Sequence, residues 1–297
     1  MAKYFIGTAG WSYKDWEGIV YPARKGSGFH PLIYLAAYIN TIEINSTFYR
    51  PPSPQTALAW TKKVELFPSF LFAVKLHQVF THQRKDFSQR EIDGFKLGIE
   101  PLRARGRLAA LLIQFPWSFM ATAANFSYLT KLFASFKELP KALEIRHETW
   151  NQPQFYRLLE DNEVAFCNID QPLFNDSIKP SAVCTNPEFS YVRLHGRNYS
   201  NWFKQGVGRD ARYDYLYQKD ELSEWVNRIK ELGTKSDKVF VITNNHYSGQ
   251  ALTNALQIKN LISGESLDIP SPLLKQYPAL KAILDKIKEG QMDLFEE

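Results

Sequence analysis

Eight short runs with strand character recur along the chain, and helical periodicity fills most of the gaps between them. The runs are residues 3–8, 41–48, 70–77, 108–115, 142–147, 164–169, 191–195 and 239–243. Helices are predicted over 31–39, 54–64, 123–136, 153–162, 215–232 and 250–262, with a long amphipathic region over 87–105 and Ser53 capping the second helix ahead of Pro54. Strands that alternate with helices imply a parallel sheet covered by its own crossovers. Eight such units fit a closed (β/α)8 barrel of the TIM type more economically than a doubly wound sheet. Residues 171–190 carry Pro, Ser and Asn without periodicity, so the sixth unit is predicted to be irregular and to lack a full helix. The barrel accounts for residues 1–264. A further helix, 272–289 within a 265–290 segment, is predicted to lay its apolar stripe on the barrel, and Gly290 releases 291–297 as a flexible tail.

The strands place polar residues where packing alone would not put them. Successive side chains of a strand point to opposite faces, so each of six strands carries a polar pair on one face near its C-terminal end. The pairs are Glu43 and Asn45, Lys75 and His77, Glu144 and Arg146, Asn168 and Asp170, Arg193 and His195, and Thr243 and Asn245. In a closed parallel barrel these faces converge on one mouth, where such barrels keep their active sites. Glu43, Glu144, Asp170 and His195 are then the candidate catalytic acids and bases, and are also of metal-ligand type. Lys75, Arg146 and Arg193 can hold an anion that Gln114 or Asn245 would orient. The alternative is an ion-pair network buried for its own sake. An apolar interior would cost less than six converging polar pairs, which favours a ligand site.

Composition narrows the partners without choosing one. A formal charge of +5 tolerates an anionic partner and does not demand one. The segment 196–217 interleaves Arg197, Lys204, Arg209 and Arg212 with aromatic residues, a weak signal for a nucleotide since Asp210 and Asp214 offset half the charge. Cys167 and Cys184 match neither a zinc spacing nor a disulfide framework. No apolar run reaches the roughly 20 residues of a membrane span and no leader is evident, so a reduced, cytoplasmic compartment is expected, with no membrane partner. No cofactor is evident. A divalent metal stays open, disfavoured by three bases already in the site.

The segments GTAGWSYKDWEGIVYP, EINSTFYRPP, the QFP turn at Gln114, LEIRHETW, YVRLHG and the late NN with TNA downstream resemble, in order and spacing, the domain-of-unknown-function 72 family, the YecE-like proteins. The resemblance extends to about Ile262. It implies a TIM-type barrel with a shared mouth site, and it brings no catalytic roles. Residues of this chain that match the family's motifs are Trp11, Glu43, Asn45, Phe48, Tyr49, Lys75, Gln114, Glu144, Arg146, Asp170, Arg193, His195, Gly196 and Asn245. The outline is similar to the endonuclease IV and xylose isomerase group, but that group's dense His and Glu ligand set is missing.

The tail adds a separate clue. Its sequence QMDLF resembles the bacterial sliding-clamp-binding peptide, in which Gln291 would fill a polar pocket while Met292, Leu294 and Phe295 enter an apolar groove. Three functions follow as expectations. The first is an enzyme acting on nucleic acid or a phosphate-bearing small molecule, recruited to DNA by the clamp. The second is a sugar-phosphate isomerase or lyase. The third is a non-catalytic binding module.

Overall fold

The computed structural model describes residues 2–84, 86–202, 204, 206 and 209–285. Eight strands, β1 (Lys3–Ala9), β2 (Thr41–Ile44), β3 (Leu71–Lys75), β4 (Leu108–Gln114), β5 (Lys141–Glu144), β6 (Val164–Asp170), β7 (Ser190–Leu194) and β8 (Lys238–Thr243), pair in parallel and in sequence order. β1 closes on β8, with Gly7 opposite Ile242. The expected (β/α)8 barrel is therefore the fold. Around it run α1 (Pro31–Ala36), α2 (Pro54–Lys63), α3 (Gln89–Ala104), α4 (Ala123–Ser135), α5 (Pro153–Asp161), α6 (Lys219–Gly233) and α7 (Gln250–Ser263). Their starts are encoded locally. Ser53 accepts a hydrogen bond from Thr56 N, Ser88 and Glu91 form a reciprocal capping box, and Thr122 accepts from Asn125 N. No helix lies between β6 and β7, as the irregular sixth unit requires.

Register decides which side chains face inward. Arg193 of β7 bonds Glu43 of β2 and Glu144 of β5, strands that are not its neighbours, so all three project across the barrel interior. Residues paired side by side in a sheet share a face. Glu43 lies beside Ala9 and Ala73, Ala73 beside Ala110, and Ala142 beside Ala165, so small residues line the interior next to the long ones. Gly7 answers a different demand, the close approach of β2, since a Cβ there would come within 1.8 Å of the Thr41 carbonyl oxygen. The alanines make room for an arginine, a tyrosine and two glutamates that apolar packing would have excluded. Below them, Phe5 and Phe240 stack at 4.8 Å.

Four details correct or extend the sequence reading. β2 ends at Ile44, because Asn45 turns helical (φ −86°, ψ −21°) into the single turn Ser46–Phe48. α6 begins at Lys219 rather than near 215, where Gln218 and Glu221 form its capping box. The C-terminal helix is broken into α8 (Ser271–Gln276) and a 3-10 segment, Pro278–Ile283. The break follows from chemistry, since Pro278 disfavours the α conformation at Tyr277, which sits at φ −124°, ψ 75°. Leu273, Leu280 and Leu284 are nonetheless buried against the barrel as expected. Finally, the aromatic loop after β1 divides its duties: Trp16 and Tyr21 are buried in the core, whereas its first residues open onto the mouth.

Candidate active site at the barrel mouth

A cavity of about 320 Å³ opens at the C-terminal ends of the strands, the size of a small-molecule site at the low end of the usual range. Eight of the expected residues line it: Trp11, Asn45, Phe48, Tyr49, Lys75, Gln114, Arg146 and Arg193. Trp11 comes from the loop after β1, and Asn45, Phe48 and Tyr49 from the turn after β2. Lys75 and Gln114 end β3 and β4, and Arg146 follows β5. Tyr13, Tyr213, Asn244 and His246 complete the wall and were not singled out in the sequence.

Beneath this wall lies its counter-charge. Glu43 accepts from Arg193 Nη2 at 2.7 Å and from the Tyr191 hydroxyl at 3.0 Å. Glu144 accepts from Arg146 Nε and Nη2 at 3.0 and 2.7 Å through one oxygen, and from Arg193 Nη1 through the other. Both carboxylates are fully buried and neither lines the cavity. Burial alone would raise the Glu144 pKa, but Arg193, His195 and Arg146 outweigh it and hold the carboxyl well below the usual range. His195 is also fully buried, with Nε2 3.3 Å from Glu144 Oε1 and Nδ1 2.9 Å from the Asn244 amide nitrogen. An amide donating to Nδ1 leaves the ring proton on Nε2, facing the carboxylate. Desolvation pushes its pKa down to about 3, so the ring is neutral.

Lys75 differs from its two neighbours. Among the described residues its ammonium has no hydrogen bond and no ion pair, only the Phe48 ring 4.4 Å away. Desolvation, then the positive charge of Arg193, lowers its pKa to about 7. The same environment lowers His82, whose ring stands edge-on to Phe48 at 4.7 Å, to about 4. Asn45 Oδ1 and Arg193 Nε are among the buried polar atoms without partners among the described residues, and both residues line the cavity.

Not every strand-end pair reaches this mouth. Register sets Asn168 beside Val192 and Asp170 beside Leu194, on the face opposite Arg193. Asn168 instead binds Ser181 and Val183 of the long connection, and Asp170 accepts from Arg197 Nε at 3.0 and 3.1 Å. Arg197 also donates to Glu221, so this loop cation is spent on structure. Thr243 likewise faces outward to Ala251, and Asn245 bonds the Tyr215 carbonyl and Asn254. Asn244, one residue earlier, is the β8 side chain at the mouth. Gly196 holds φ +88° and donates its N–H to the Tyr217 hydroxyl; a Cβ there would meet Tyr215 at 2.8 Å, so the turn explains the glycine. Gln291, Met292, Leu294 and Phe295 lie outside the described residues.

Among the described residues no cluster of three or more His, Cys, Asp or Glu side chains is arranged to hold a metal ion, and no helix is long and apolar enough to cross a membrane. Cys167 is buried and free, and Cys184 is free and half-buried.

Fold and site together define an eightfold parallel barrel with a cation-lined cavity at its C-terminal mouth. Residues 5–277 match the family described as protein of unknown function DUF72, and the chain belongs to that family. It is 30% identical over 274 residues to the UPF0759 protein YunF of Bacillus subtilis, covering 88% of this chain and 95% of that one. A DUF72 family crystal structure from Thermotoga maritima superposes with a TM-score of 0.77 at 33% identity, over 88% of this chain and 99% of the other. One from Enterococcus faecalis gives a TM-score of 0.77 at 26% identity, over 91% and 98%.

Proposed function

We propose that the mouth cavity binds a small phosphate-bearing anion and that the protein is an enzyme acting on it. One observation carries this reading: Lys75, Arg146 and Arg193 line the cavity, while the carboxylates that balance two of them lie underneath. Three basic side chains against two carboxylates leave Lys75, whose pKa is lowered to about 7, as the excess positive charge toward the cavity when it is protonated. A bound anion would neutralise it and would find unpartnered donors, since charge-assisted bonds to guanidinium are among the strongest available. The volume supports a sugar phosphate or a single nucleotide-sized group over a polymer held along its length. The acid and base roles expected of Glu43 and Glu144 pass to residues that reach the ligand, since both glutamates are saturated by arginine.

Calorimetric titration of the full chain with inorganic phosphate and with sugar phosphates of three to six carbons tests this. Arg146→Gln should weaken phosphate about 10- to 100-fold, the value of a hydrogen bond to a charged group. Failure of every phosphate to bind the wild-type chain would remove the reading.

Recruitment to DNA is a second proposal, resting on the QMDLF sequence alone. A labelled peptide of residues 286–297 should bind a bacterial sliding clamp at micromolar concentration and lose that binding with Gln291→Ala or Phe295→Ala. Binding indifferent to both changes would break the link to DNA.

A further inference from the structure

We propose that Lys75 is a nucleophile, an amine that forms an imine with the carbonyl carbon of a phosphorylated aldehyde or ketone held in the mouth cavity. This rests on the anion-binding reading above and goes beyond it by naming the reacting group and the substrate class.

The three cations are occupied differently. Arg146 and Arg193 are locked in charge-assisted pairs with Glu144 and Glu43, and so serve as fixed anion hooks. Lys75 lies among them, and both carboxylates that could have fixed its proton are taken. It has no carboxylate, carbonyl or hydroxyl partner among the described residues, yet it lines the cavity and is reachable from it. A lysine kept only to hold phosphate gains from staying charged. Here desolvation, with the charges of Arg193 and Arg146, outweighs the opposing pull of Glu43 and Glu144 and favours the neutral amine, the arrangement that activates lysine as a nucleophile.

The step balances without any further reactant. The Nζ lone pair attacks the carbonyl carbon, a C–N bond forms, and the C=O π electrons move to oxygen, which takes the proton shed by nitrogen. The resulting carbinolamine oxygen accepts a second proton, supplied by solvent, and leaves as water while the nitrogen lone pair forms C=N. One amine, one carbonyl and one proton give one protonated imine and one water. The imine then withdraws electrons from the neighbouring carbon, which permits proton removal or carbon–carbon cleavage there, as an isomerase or lyase of phosphorylated sugars requires.

The test traps the imine on the full chain. Pyridoxal 5′-phosphate, an aldehyde that carries a phosphate, and separately dihydroxyacetone phosphate are added with borohydride, and the adducts are mapped by mass spectrometry. The expected result is a single dominant adduct at Lys75, formed about 10- to 100-fold faster than at surface lysines because far more of this amine is unprotonated near neutral pH. Inorganic phosphate should suppress it. Lys75→Arg should abolish the adduct, and a far-UV circular dichroism spectrum and cooperative denaturant unfolding like those of the wild type show that this variant is folded. Labelling spread over surface lysines and unaffected by phosphate, with phosphate binding intact, would overturn the nucleophile and leave the anion site standing. Loss of phosphate binding in the wild-type chain would instead overturn the reading beneath it.

Discussion

Two ion-pair clusters, one fully buried around its carboxylates and one half-buried, lie on either side of the barrel wall, built from similar residue types and differing in what they leave exposed. Inside, Glu43 and Glu144 are shared by Arg193 and Arg146, with Lys75 uncompensated beside them. Outside, between β6 and α6, one guanidinium, Arg197, is shared by Asp170 and Glu221. The inner cluster has more cations than carboxylates and meets a cavity. The outer has more carboxyl groups than cations and is covered in part by Tyr215, whose hydroxyl donates to Glu221 at 2.6 Å. A buried ion pair therefore says little by itself; the sign of the excess, and whether it faces a space, separates a ligand site from a brace.

Substitutions can break this comparison. The largest effect is expected from Glu144→Gln, which strands the Arg146 guanidinium and leaves Arg193 with Glu43 alone, and should cost about 3–5 kcal/mol in denaturant unfolding. A cost near that of a surface change would mean that the inner cluster is solvated. Asp170→Asn should cost less, about 1–3 kcal/mol, because Arg197 keeps Glu221. It should also leave phosphate affinity within about twofold of wild type; a tenfold loss would place Asp170 at the mouth after all. The smallest effect has the opposite sign. Folding lowers the Lys75 pKa to about 7, so the unfolded chain binds more protons between that value and the ordinary lysine range. The penalty on the native state is full below pH 7 and relieved as pH rises. Lys75→Met should accordingly gain roughly 0.5–2 kcal/mol at pH 6, and the gain should vanish by about pH 10. A gain independent of pH would mean that the amine is fully solvated.

The fold was legible because strand and helix periods alternate eight times. Alternation along a strand separates two faces but does not name the inner one. At β7 the polar face turned inward, whereas at β6 the outer side lacks a helix and the 171–190 connection supplies Ser181 and Val183 to Asn168, so that polar face turned outward. No local pattern announces this. At β8 the strand ends at Thr243, where alternation gives way to turn geometry, and Asn244 rather than Asn245 meets His195. The break at Pro278 was written in the sequence, since a residue preceding proline resists the α conformation. The orientation of the catalytic candidates was not, because it depends on which of several arginines reaches a given carboxylate.

The alanines inside the barrel carry a consequence for how such a chain can change. Most barrel interiors tolerate a little more hydrocarbon, and stabilising variants are often found by adding it. Here a methylene added at Ala73, Ala110 or Ala142 competes for the volume that Arg193 and the glutamates occupy. Selection for a more robust core and selection for a charged mouth thus draw on the same space. The barrel's capacity to become more stable is limited from within by its own site.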